Sequence, residues 1–225
     1  MPRESAYGKG VFGLPLKNYV QFILSVLIVG TGITLITQSG LGTTAVSSLP
    51  FVVSEVTPLS FGMLTMLFNS LWVILQILLL RNRFEKRQFL QFLVGPVLGL
   101  AIDGSNAVFS FLSPTAYLSQ LFMLLVGIAV LALGIFVQIN AAALYNPAEG
   151  LVYSIARVIN KKFGDIKLTF DLVLVLSAGL LTLIFRGEIM GLREGTLLTA
   201  LLVGPMVNGL QILLAKRAPV IRDNN

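Results

Sequence analysis

The sequence predicts an all-α membrane protein: six transmembrane helices forming two inverted three-helix repeats, each interrupted by a short half-helix. Three observations carry this expectation. They are six long apolar windows, basic residues gathered on alternate loops, and matched residues recurring 102 positions apart.

Hydrophobic residues make up 56% of the chain, charged residues only 12%, and the mean hydropathy is +0.88. A soluble core cannot hide that much apolar surface. No linker or low-complexity tract divides the 225 residues, so residues 1–225 are read as a single transmembrane domain. With no Cys and no His, disulfide, thiolate and imidazole chemistry are closed off. Neither a nucleophile–base pair, a metal cluster nor a nucleotide-binding loop is recognisable, so the sequence predicts no enzyme, no cofactor and no metal.

Arg3, Lys9 and Lys17 precede a first apolar stretch that is too long for a signal-peptide core, and it reads as a retained helix. Six windows reach the roughly 20 residues needed to cross about 30 Å of hydrocarbon. They cover 18–38, 61–80, 89–112, 118–139, 167–185 and 195–215. With the N-terminus inside, fourteen of the 16 basic residues fall on the cytoplasmic segments, leaving only Arg186 and Arg193 outside. That bias orients the chain with both termini cytoplasmic. It also accounts for the net charge of +6 without any nucleic-acid partner, since these cations face anionic lipid headgroups.

A shift of 102 places Gly32 on Gly134, Thr44 on Asn146, Phe61-Gly62 on Phe163-Gly164, and Phe68-Asn69 on Phe170-Asp171. Seven residues of drift later, Val94-Gly95-Pro96 falls on Val203-Gly204-Pro205. The halves are 1–112 and 118–225, and three spans in each force the second to enter the membrane in the opposite sense. Each half holds a short apolar segment, at 44–56 and 147–160. Thr43 or Thr44 suits the cap of the first, after the turn-forming Ser39-Gly40-Leu41-Gly42. Asn146, Pro147 and Glu149 predict a capping-box-like start for the second. A re-entrant pair of half-helices and a pair of connectors lying flat in the two interfaces both fit this pattern.

Re-entrant half-helix N-termini would offer free N–H groups to a carboxylate, sulfate or phosphate. The candidate substrate-binding residues are therefore Gly42, Thr43, Thr44 and Ser47 in the first half, and Asn146, Glu149 and Gly150 in the second. Asp103, with Asn106 beside it, is the strongest intramembrane candidate, because a charge there costs about 2.5–3.5 kcal/mol on insertion scales. It reads as a cation, proton or polar-substrate contact, or as a structural carboxyl bonded to Ser105, Asn106 or a neighbouring helix. Asp171 and its repeat partner Asn69 complete the set, with a local Lys167–Asp171 ion pair as the plainer reading of Asp171. Gly30, Gly32, Gly95, Gly99, Gly127 and Gly134 read as packing glycines, Pro96 and Pro205 as kinks, and Trp72 as a packing residue.

The run Ser39-Gly40-Leu41-Gly42-Thr43-Thr44, with Ser47-Ser48-Leu49-Pro50-Phe51 and Leu59-Ser60-Phe61-Gly62, resembles the YczE/YyaS/YitT-like bacterial membrane proteins. Glu149-Gly150-Leu151-Val152, Lys162-Phe163-Gly164, Gly191-Leu192-Arg193-Glu194-Gly195-Thr196 and Val203-Gly204-Pro205 extend the resemblance through the second half, although Ala45 stands where it calls for a proline. It implies a multi-pass protein of the bacterial cytoplasmic membrane, from an uncharacterised group, and brings no substrate.

The expected function is a small secondary transporter or exporter of a small solute, one with an anionic group suiting the half-helices, working by alternating access. The alternative is a non-transporting accessory protein of another membrane or biosynthetic complex, which predicts a closed, dry centre with Asp103 bonded internally. Expected partners are the lipid bilayer, a small-molecule or ion substrate, and a second copy or another membrane protein.

Overall fold

The computed structural model describes residues 15–141, 144–187 and 192–217. Arg3, Lys9, Gly191 and Arg222, named above, lie outside them. The described residues form α-helices joined by short turns, with two 3-10 turns at Arg81–Arg83 and Lys86–Leu90 and no strand among them. In chain order the helices are α1 (Leu16–Gln38), α2 (Ala45–Val56), α3 (Phe61–Leu80), α4 (Gln91–Val108), α5 (Tyr117–Ala141), α6 (Pro147–Val158), α7 (Phe163–Arg186) and α8 (Glu194–Arg217).

Five of these, α1, α3, α5, α7 and α8, are long and apolar enough to cross a membrane, which makes this a multi-pass membrane protein. The third expected span is the exception. Its helix, α4, runs 18 residues in place of the expected 89–112, and the polar run Asp103-Gly104-Ser105-Asn106 occupies its last turns. A second correction concerns Lys167. The helix expected from 167 starts at Phe163, so Lys167 lies a full turn inside α7.

The α1–α5 crossing brings two backbones close together, because glycine removes the side chain at each contact. A Cβ on Gly32 would stand 2.6 Å from the Leu131 nitrogen, and one on Gly134 would stand 2.8 Å from the Val29 nitrogen. Around this crossing Phe22, Val26, Ile33, Ile36, Leu124 and Ile128 form the buried core. In the membrane such contact is stabilised by dispersion and by matching shape, since lipid tails are as apolar as the core.

On the same core, α4 lies against α1, with Gly30 over Ala101 and Thr34 Oγ1 donating to the Ile102 carbonyl at 3.3 Å. It also grips α3, where Gly62 and Gly99 pass so closely that a Cβ on Gly99 would fall 2.4 Å from the Gly62 carbonyl oxygen. The two short helices cross over: α2 packs on α7 and α6 packs on α3. Gln76 ties the second of these contacts, its Nε2 donating to the Pro147 carbonyl at 2.9 Å and to Gln91 Oε1 at 3.0 Å.

The glycine crossing makes the first testable statement. Gly32→Ala lowers the thermal unfolding midpoint of the purified protein, by an overpacking cost of about 1–3 kcal/mol. Gly104→Ala, where a Cβ meets nothing within 4 Å, leaves the midpoint unchanged or raises it.

Candidate functional site

The first turns of both short helices face one cavity of about 280 Å³. Thr44, Ala45, Val46 and Ser47 enter it from α2, and Asn146, Ala148 and Glu149 from α6. The two starts are built differently. At α2, Thr44 Oγ1 accepts from the Ser47 nitrogen at 3.2 Å and donates to Ser47 Oγ at 2.8 Å. At α6 the expected capping box does not form. Asn146 makes no side-chain cap bond, and the 2.9 Å bond from Gln76 to the Pro147 carbonyl anchors the turn from outside. Asn146 lines the cavity. At both starts the first N–H groups have no acceptor within the helix.

The remaining lining follows a pattern. Thr65 and Lys167, Asn69 and Asp171, Val29 and Leu131, and Ile33 and Ile135 are lining residues that lie 102 positions apart. Thr44 with Asn146, Val46 with Ala148, and Ser47 with Glu149 repeat the same interval. The first-half members are neutral, whereas Lys167, Asp171 and Glu149 bring three ionisable groups to one wall. Lys167 Nζ and Asp171 Oδ1 pair at 2.6 Å, one helical turn apart. Glu149 has no hydrogen-bond or ion-pair partner among the described residues. Thr65, only 4% exposed, lines the cavity with its Oγ1 unpartnered. Asn69 Nδ2 donates to the Thr65 carbonyl at 2.8 Å.

Six of the expected site residues thus meet: Thr44, Ser47, Asn69, Asn146, Glu149 and Asp171. The others stand elsewhere. Gly42, at φ +132, and Thr43 belong to the loop that meets the start of α8, where the Thr43 nitrogen donates to Thr196 Oγ1 at 3.3 Å. Gly150 packs against the Gln76 amide behind the cavity wall. Asp103 does not line the cavity. Its carboxylate accepts from Ser60 Oγ at 2.5 Å and from the Gly62 nitrogen at 2.8 Å, so it holds the start of α3 to the end of α4. Asn106 Oδ1 accepts from Gln38 Nε2 at 3.2 Å. Both are helix-to-helix contacts.

Lys167, Thr65 and Trp72 are lining residues that the sequence reading did not place in the site. The 102-residue interval carries a signal for the first two, because Asn69 and Asp171 imply Thr65 and Lys167 one turn away. Trp72 is both a packing residue, with Phe170 at 5.4 Å between ring centroids, and a wall of the cavity.

One side of the cavity is looser than the other. Beside α3, a Cβ on Gly95 would stand 3.1 Å from Asn69 Cβ. Gly204, in the matching motif of α8, meets nothing within 4 Å, and α7 and α8 share no packing comparable with that of α3 and α4. Among the described residues no cluster of metal-ligating side chains occurs.

The ion pair predicts non-additive mutations. Lys167→Met and Asp171→Leu each strand a charge beside the cavity and lower the thermal midpoint, by about 1–3 kcal/mol each. The double variant is destabilised by less than the sum of the two, as a double-mutant cycle on the purified protein will show.

No curated protein and no solved structure matches the chain. Residues 16–211 match a family model described as "Family of unknown function (DUF6198)", a span that includes every lining residue named above. The chain belongs to the DUF6198 family, whose function is unknown.

Proposed function

We propose that this protein is a small secondary transporter of the bacterial cytoplasmic membrane, built from two inverted repeats and carrying a small solute by alternating access. The observation that carries the reading is the cavity itself, where both half-helix starts meet and the lining residues pair at one interval of 102. Such pairing is what an axis through the cavity would produce, with α1, α2, α3 and α4 related to α5, α6, α7 and α8. The glycine crossing supports it, because Gly32 on Leu131 and Gly134 on Val29 are the same contact written twice. So does the exchange of short helices, α2 onto α7 and α6 onto α3. In this arrangement α4 is the sixth crossing, about 27 Å long at 1.5 Å per residue. The positive-inside bias sets the Leu80 end of α3 in the cytoplasm.

The unequal halves give the reading a direction. On the outer side, Asp103 fastens α3 to α4, and the Gly195 nitrogen donates to the Leu41 carbonyl at 2.8 Å. Toward the cytoplasmic side, Gly164 and Gly204 face open space, and Asn208 is an exposed polar residue on α8. We read this as an inward-open arrangement. Exchanging the two halves' conformations gives its outward-open counterpart, in which α7 closes on α8 and the Asp103 contacts part. Asp103 is then a latch on the outer side, not a coupling group.

The accessory reading keeps one observation in its favour, the internally bonded Asp103 that it predicts. It also predicts a dry, closed centre, and the cavity with an unpartnered Glu149 speaks against that.

The chain has no native cysteine, so single introduced cysteines report access directly. Asn69→Cys reacts with a membrane-impermeant thiol reagent from the cytoplasmic side, and adding Asp103→Ala raises its reactivity from the outer side several-fold. Reactivity confined to one side, unchanged by Asp103→Ala, removes alternating access.

A further inference from the structure

Glu149 stands out in the cavity because no hydrogen bond or ion pair holds it among the described residues. Lys167 is committed to Asp171 at 2.6 Å, which leaves the Glu149 carboxyl on this wall without a counter-ion of its own. An unpaired carboxylate away from water is costly, so a ligand ammonium entering the cavity gains a charge-assisted hydrogen bond that no side chain here supplies.

The start of α2 asks for the opposite charge. The first turn of α2 holds no acidic residue, and Ala45 and Val46 line the cavity beside the Thr44 and Ser47 hydroxyls. Helix N–H groups in a first turn have no intrahelical acceptor and favour an anion. The start of α6 is a poorer anion site, because its own Glu149 occupies the first turn. An independent sign that a polar ligand belongs here is Thr65, a lining residue whose buried Oγ1 has no partner among the described residues. Between the two poles the walls are apolar, from Val29, Ile33, Leu131, Ile135, Phe68 and Trp72.

We propose that the cavity binds a small zwitterion with an apolar body, its ammonium held by Glu149 and its carboxylate by the first turn of α2. The size agrees, since about 280 Å³ lies at the small end of ligand pockets. The inference rests on the cavity being the solute site of the proposed transporter and narrows the solute class from an anion to a zwitterion.

The test uses the purified full chain in lipid nanodiscs, with calorimetric binding of leucine and γ-aminobutyrate, zwitterions of different charge spacing. Isoamylamine, which is leucine without its carboxylate, and 4-methylpentanoate, which is leucine without its ammonium, serve as single-charge probes. At least one zwitterion binds at least tenfold more tightly than either single-charge probe. Glu149→Gln weakens that binding by about tenfold to hundredfold. Thr65→Val, which removes the orphan hydroxyl, weakens it while leaving the unliganded midpoint unchanged or raised. Equal binding of either single-charge probe, binding of neither zwitterion, or full affinity in both variants overturns the proposal. Proteoliposome uptake separates it from the transport reading. A zwitterion that binds but is never carried removes transport and leaves this site standing, whereas uptake of the amine or the carboxylate alone does the reverse.

Discussion

The structure depends on the contact between α1 and α5, where two helices come within backbone distance because Gly32 and Gly134 carry no side chain. In a bilayer there is no water to drive apolar helices together, so such close crossings are where a bundle gains its cohesion. Everything else is set against it. The helix α4 leans on α1, α8 leans on α5, and the cavity opens where Val29, Ile33, Leu131 and Ile135 run past the crossing. Because the crossing presents the same contact from each helix, whatever is built on one side of it tends to recur on the other.

Both short helices start at the cavity. A broken helix exposes N–H groups that hydrocarbon cannot satisfy, and it is tolerated only against protein or a polar cavity. Here Thr44 caps only the Ser47 nitrogen and leaves the first N–H groups of α2 to the cavity, whereas at α6 Gln76 holds the Pro147 carbonyl and Asn146 makes no cap bond. The two starts are matched in place but not in chemistry. The second half brings Glu149, Lys167 and Asp171 where the first brings Ser47, Thr65 and Asn69. A site with equal geometry and unequal charge can hold a solute in one orientation, which is the property the proposed zwitterion site uses.

Much of this was legible in the residues. Hydropathy placed α1, α3, α5 and α8 to within a few residues, and the turn chemistry of Ser39 to Thr44 and Asn146-Pro147 placed the starts of α2 and α6. The rest was not legible, for physical reasons. A carboxylate inside a span is expensive, and of the roles open to Asp103 the structure shows a bond to a neighbouring helix, through Ser60 and the Gly62 nitrogen, whose positions 43 and 41 residues away no local pattern encodes. The expected pair of Lys167 with Asp171 forms at 2.6 Å, but α7 starts at Phe163 and so places Lys167 a turn inside the helix instead of at its edge. The capping box expected at α6 does not form, and the contact that does hold this turn, from Gln76 to the Pro147 carbonyl, comes from another helix.

The central claim is that the α3–α4 and α7–α8 contacts are alternatives that exchange as a solute is carried. Pulsed electron–electron distance measurement tests it directly, with one spin-label pair bridging the cytoplasmic halves of α7 and α8 and another bridging the outer halves of α3 and α4. In nanodiscs containing a transported solute, the account predicts two populations in each pair, with the α7–α8 distance shortening as the α3–α4 distance lengthens. A single fixed distance in both pairs, with and without solute, would contradict it.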